Sequence, residues 1–173
     1  MMFAKVMAAA LGRHPLVLLL CSWLSLMATQ AWAEDGFSPM LTLRMGDKTI
    51  ELEREQFAAL PQARLATSTT LSEGITTWEG PLARDVLALL GVPADKAVKI
   101  RMSSWDDYSV DLTSEDFLRW DVLLAHSADG KPLVAEELGP LRVIYPRDQF
   151  EELQDQRFDH RWVWMLREIV VNP

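Results

Sequence analysis

Trp78-Glu79-Gly80-Pro81-Leu82-Ala83-Arg84-Asp85-Val86-Leu87-Ala88-Leu89-Leu90-Gly91 is the stretch on which the fold turns. Gly80-Pro81 opens a helix well, because a proline in the first turn has no N–H to leave unpaired and its φ is already helical. Gly91 and Pro93 close it, so the spacing predicts a helix over Pro81 to Leu90. Leu82, Val86, Leu87 and Leu90 recur at helical spacing and form its buried stripe.

Upstream, Leu41, Leu43 and Met45 alternate with polar residues, Gly46-Asp47 offers a turn, and Ile50 and Leu52 resume the alternation, which predicts a hairpin. Glu53 to Leu60 reads as a short helix stopped by Pro61, and Ala63 to Thr70, small and hydroxyl-rich, as extended chain or loop. Downstream, Val98, Ile100 and Met102 form one strand and Tyr108, Val110 and Leu112 another, joined through Trp105-Asp106-Asp107. Thr113 with Asp116 resembles a capping box, which predicts helical turns over Ser114 to Trp120. Val122 to Ala125 and Leu141 to Tyr145 are short apolar runs, separated by an Asp129-Gly130 turn and a Gly139-Pro140 corner. Trp162 to Val171 is too apolar for a tail and is expected to dock as a last strand or helix–strand piece. Short strands and helices interleaved without repeat, low-complexity tract or linker imply one α+β domain.

The first 33 residues read differently. Lys5 and Arg13 lie near a run from Leu16 to Ala28 that is almost wholly apolar, and Ala31-Trp32-Ala33 supplies small residues at a cleavage site. This pattern predicts a signal peptide over residues 1–33, a periplasmic location, and a single domain over 34–173. The run is short for a membrane span and no second one follows, so no transmembrane segment is expected after cleavage. Removing Lys5 and Arg13, and no acid, takes the net charge from −8 to −10, which disfavours nucleic acid or an anionic membrane as partner. The one cysteine, Cys21, leaves with the leader, and thiolate chemistry and disulfides leave with it.

Several segments together resemble the molybdopterin-binding domain of the sulfite oxidase family, in particular its small exported single-domain relatives. They are Trp78-Glu79-Gly80-Pro81-Leu82 leading into Asp85-Val86-Leu87 and Gly91, Asp107-Tyr108-Ser109-Val110, Asp129-Gly130-Lys131-Pro132-Leu133, Gly139-Pro140-Leu141-Arg142 leading to Tyr145-Pro146, and Trp162-Val163-Trp164. The resemblance implies a mixed α+β sheet fold with short helices and a ligand cleft lined by loops. In the catalytic members a cysteine thiolate, upstream of the helix that matches Pro81 to Leu90, ligates molybdenum. Here that neighbourhood reads Thr67-Ser68-Thr69-Thr70-Leu71-Ser72. A neutral hydroxyl is a harder, less basic donor than a thiolate and would not bind or tune the metal in the same way. The resemblance therefore implies the family fold without its redox reaction: no catalytic residue, no metal ligand and no cofactor, with molybdopterin as the alternative.

Candidate ligand-binding residues follow from chemistry and position. Thr67, Ser68 and Thr70 offer hydroxyls where the thiol is missing, or satisfy their own loop. Trp78 leads the helix motif. Asp107 and Tyr108 offer a carboxylate and a ring, or form a turn beside Asp106. Arg142, Tyr145 and Arg147 lie around a strand end. His160 and Arg161 belong with Arg157, Trp162 and Trp164 to the one local cluster of cations and aromatics. The plainer alternative has Arg157 and Arg161 screening Asp155 and Asp159. No Gly-rich phosphate loop, nucleophile elbow or zinc motif supports another enzyme class. The first expectation is an exported, non-catalytic binding or accessory module for a small anionic or flat ligand or for a periplasmic or membrane partner protein. A molybdopterin-dependent periplasmic oxidoreductase with atypical metal ligation is the alternative, and a structural protein–protein interaction domain is the third.

Overall fold

The alternation at the start of the domain becomes a hairpin of β1 (Leu41–Met45) and β2 (Lys48–Leu52) in a computed structural model, which describes residues 36–72, 74–93 and 95–172. The predicted leader and its cleavage site fall outside the described residues. Helix α1 (Arg54–Ala58) follows, shorter than the predicted span, with Glu53 and Gln56 forming a reciprocal capping box. Ala63 to Thr67 is extended, as strand β3 (Ala63–Thr67), and pairs with β4 (Thr76–Gly80).

Helix α2 (Ala83–Ala88) begins later than predicted. Pro81 and Leu82 stay extended because strand β7 (Leu123–Ala125) claims their backbone: Leu124 N donates to Pro81 O at 3.0 Å and Ala83 N to Val122 O at 2.9 Å. Leu82 is consequently only half-buried, and Ala83 takes its place in the stripe with Val86, Leu87 and Leu90. Leu87 is 2 % exposed. Replacing it by alanine should cost about 2–5 kcal/mol, from lost transfer energy and the cavity left behind, read as a lowered denaturant midpoint.

The remaining elements are β5 (Lys99–Ser104), β6 (Ser109–Thr113), α3 (Glu115–Arg119), the hairpin β8 (Ser127–Ala128) and β9 (Lys131–Pro132), β10 (Arg142–Ile144) and β11 (Leu166–Val171). The hairpin turns at Asp129 and Gly130, both at positive φ, and the Asp129 carboxylate accepts from Thr77 N at 2.9 Å. The Thr113–Asp116 capping box does not form. Ser114 stands at the N-cap without a side-chain capping bond, its hydroxyl accepting from Val98 N at 2.9 Å, and Asp116 turns inward instead. The end of the chain is a 3-10 segment (Gln156–Arg161) followed by β11, so the strand alternative holds.

The strands form three groups. Five lie in the order β2-β1-β11-β5-β6, with β1 and β11 parallel and every other pair antiparallel. Four lie in the order β3-β4-β8-β9, and β10 pairs with β7. Phe57, Val86, Ile100, Met102, Leu124 and Val143 are fully buried in one continuous core. Among the described residues no helix is long and apolar enough to cross a membrane.

Candidate binding cleft

Strand β3 ends where the predicted hydroxyl cluster begins, and an unpredicted residue, Asp148, takes hold of it. Thr67, fully buried, donates its hydroxyl to Asp148 Oδ2 at 2.9 Å and accepts from Asp148 N at 3.2 Å. Ser68 donates its hydroxyl to Asp148 Oδ1 at 3.0 Å and its backbone N–H to Oδ2. These donors, the Ser68 N–H foremost, hold the Asp148 carboxyl below the usual carboxylate range, with the nearby charge of Arg147 adding to them. Thr69 and Ser72 satisfy their own turn: Ser72 Oγ accepts from Thr69 N at 2.7 Å, and Thr69 Oγ1 accepts from Ser72 N at 3.1 Å. Thr70 is exposed beside them.

Trp78 is 2 % exposed, and its indole N–H donates to Thr67 O at 3.2 Å, which ties β4 to the same corner. The Arg142 guanidinium lies between two indoles, 5.4 Å from the Trp78 ring centre and 5.1 Å from that of Trp164. This is a cation–π sandwich, stronger for being partly desolvated. Burial pulls the Arg142 pKa down, with Glu137 opposing, yet a guanidinium stays protonated at any physiological pH. The Nε of Arg142 and that of Arg147 are both buried without a hydrogen-bond partner among the described residues. Arg142, Trp78, Thr67, Asp148 and Arg147 are thus linked contact by contact. The corner has one guanidinium held between indoles and a second, that of Arg147, beside Asp148, and a buried donor left unpaired is costly.

The other predicted residues gather elsewhere. Tyr145 is 1 % exposed, and its hydroxyl donates to Asp116 Oδ2 at 3.1 Å, while Arg161 Nη1 donates to both Asp116 oxygens at 2.8 and 2.7 Å. Burial first, and then the Asp116 charge, push the Tyr145 phenol well above its ordinary range. Tyr108 donates its hydroxyl to the backbone carbonyl of His160 at 2.7 Å, and His160 itself is exposed. Asp106 accepts from Ser104 Oγ and from Tyr108 N, as a turn residue does, and Asp107 sits exposed at a φ of 66°. Arg157 does screen Asp155, at 2.7 Å, but Arg161 takes Asp116 rather than a neighbouring acid. Tyr145, Trp162 and Trp164 connect the two groups, with ring centres 5.7 Å and 6.4 Å apart in sequence.

Thr67, Ser68, Trp78, Arg142 and Arg147 therefore meet in one corner, Tyr145, Arg161, Tyr108 and His160 lie beyond it, and Thr70 and Asp107 are on exposed turns. Sequence reasoning missed Asp148 and Asp116. Asp148 lies 80 residues from Ser68, so no local pattern marks it.

A family model described as oxidoreductase molybdopterin binding domain matches residues 45–151, well over half of the chain. No curated protein matches it. Among solved structures, the sulfane dehydrogenase SoxCD from Paracoccus pantotrophus is similar, with a TM-score of 0.54 at 17 % identity, over 76 % of this chain and 37 % of that one. This chain spans little more than a third of that relative, and the likeness is one of fold.

Proposed function

The chain belongs to the oxidoreductase molybdopterin-binding domain family, and on that premise we propose that it is an exported, non-catalytic binding module whose corner around Trp78, Arg142 and Arg147 receives a small anionic or flat ligand. The observation that carries the reading is the hold of Asp148 on Thr67 and Ser68. In the stretch where the catalytic members place their thiolate, Thr67 and Ser68 already donate to a carboxylate, Thr69 and Ser72 are engaged in their own turn, and Thr70 is exposed. Neutral oxygen donors do not fit a molybdenum that the family holds through sulfur. Arg142 and Arg147 do fit an anion: guanidinium groups match carboxylate or phosphate geometry, and the two indoles hold one of them in place.

Those same arginines favour one second reading, a molybdopterin enzyme with atypical ligation, since they would also suit the phosphate of a pterin. Protein purified from the envelope of a cell that makes the cofactor separates the two. The expected result is a chain whose intact mass starts near Glu34, without stoichiometric molybdenum and without reductase or dehydrogenase turnover. About one molybdenum per chain with cofactor-dependent turnover would reverse the assignment.

A further inference from the structure

A pocket of about 300 Å³ lies between α1, β4 and the β8–β9 hairpin, and none of Thr67, Trp78, Arg142 or Arg147 borders it. Glu79 does, because it follows Trp78 on β4 and so faces the opposite side of the sheet. Met40, Ala58 and Pro132 supply apolar wall, and His126 and the buried Ser127 supply polar groups. The charges at the border cancel: Arg54 and Glu55 are of opposite sign, and Glu79 is paired with Arg64 at 3.1 Å. A charged ligand finds no net attraction there.

His126 gives the pocket its chemistry. Gln62 donates its side-chain N–H groups to the carbonyls of Phe57 and Leu60 at 3.2 and 2.8 Å, so its Oε1 is the atom that meets His126 Nε2, at 3.1 Å. A carbonyl oxygen only accepts. Nε2 therefore carries the ring proton, and the lone pair of the neutral imidazole is on Nδ1. The Phe57 ring, perpendicular at 6.0 Å between ring centres, fixes the imidazole from another side. His126 borders the pocket and Gln62 does not, while Nδ1 has no hydrogen-bond partner in another described residue and is not enclosed. Burial lowers the His126 pKa and keeps the ring neutral, Arg54 adding to this and Glu79 and the residue's own carbonyl opposing it. An accessible acceptor thus stands on the wall of a small pocket.

We infer that this pocket binds a small uncharged phenol, its hydroxyl donating to His126 Nδ1 and its ring lying against Met40, Ala58 and Pro132. Roughly half that volume already admits a benzene ring, so one substituted ring fits. A thioether makes a favourable contact with an aromatic ring, and a phenolic O–H is a stronger donor than an aliphatic one. The site is independent of the Arg142 corner and stands whichever ligand that corner takes.

Titration of p-cresol into the purified protein, followed by calorimetry and by NMR of the His126 imidazole, tests it, with toluene as the probe that lacks the hydroxyl. One saturable site is expected, with toluene about fivefold weaker, the scale of one hydrogen bond. His126→Phe keeps a ring and removes the acceptor, and should bring p-cresol down to the toluene level. Ala58→Leu fills part of the pocket from an exposed position and should weaken both probes, whereas Arg142→Gln should weaken neither. Binding of p-cresol should be complete at about pH 7.5 and fall only below the ordinary histidine pKa of about 6.5, as Nδ1 takes a proton and stops accepting. The phenol, with a pKa of about 10, stays protonated throughout. Absence of saturable binding, equal affinity for p-cresol and toluene, a p-cresol affinity that does not change on acidification, or full affinity in His126→Phe would each overturn the inference. If His126→Phe does not fold, the toluene comparison and the pH profile of the wild type decide.

Discussion

Replacing Gly80 by alanine is expected to cost about 3 kcal/mol or more and to leave little cooperative unfolding transition to measure. A Cβ at this position would stand 2.1 Å from Leu124 O and 2.8 Å from Ala125 Cα. Both are backbone atoms of β7, which is pinned by its bonds to Pro81 and to β10, so nothing nearby can yield as a side chain would. Gly46 is the control. It turns the first hairpin at a φ of +56° with open space around it, so Gly46→Ala meets only the left-handed penalty of about 1 kcal/mol. Urea denaturation followed by circular dichroism reads both. Equal losses at the two sites would mean that β4 and β7 do not approach as described.

The second large effect is expected at Asp116. Asp116→Ala removes the acceptor of Tyr145 and the counter-charge of Arg161 together, and leaves a buried phenol and a partly buried cation without their partner. Breaking one side of such a buried pair costs about 3–5 kcal/mol. The partial exposure of this one, 25 % for the Arg161 side chain and 12 % for Asp116, points to the lower end. Tyr145→Phe should lose only about 1 kcal/mol, one neutral hydrogen bond. The pH dependence has a definite sign. Folding favours the neutral phenol, so its contribution is complete below the ordinary tyrosine pKa of about 10 and disappears as pH rises beyond it. Alkaline unfolding should therefore begin at higher pH in Tyr145→Phe. An unchanged alkaline midpoint would mean that the phenol is not enclosed.

What could be read from the sequence was whatever depends on near neighbours. The β1–β2 hairpin, the β5–β6 pair and the Asp129-Gly130 turn each follow from alternation and turn chemistry between near neighbours in the chain. Helix α2 was legible in its stripe but not in its start, because the backbone of Pro81 and Leu82 is claimed by a strand some 40 residues away. Strand β4 was not read at all. Its Trp78 and Gly80 face the core with only two hydroxyl residues before them, a pattern too short to show a period. Asp116 was read as a local cap because Thr113 stands at the right distance, and a tertiary partner, Arg161, outbid that local bond. The family-like segments contain Trp78 and Arg142, which the structure places in contact, and Tyr108 and Tyr145, which it places elsewhere. They could not show that Asp148 fills the hydroxyl stretch beside them.

The place of β11 has a consequence for how the chain reaches this state. It is the last described strand in chain order, yet it sits in the middle of its sheet, between β1 and β5, which do not touch each other. The β1–β2 and β5–β6 hairpins are therefore two separate halves until residues 166–171 arrive between them. During synthesis each half presents a bare strand edge from the time it is made until β11 follows, and such edges invite pairing with other chains. Closure spans more than 120 residues of intervening chain between β1 and β11, a long-range step of the kind that makes folding slow. An unfolded-chain chaperone is most useful to this protein before its final strand is free, and cutting the chain short within β11 would remove the seam rather than an end.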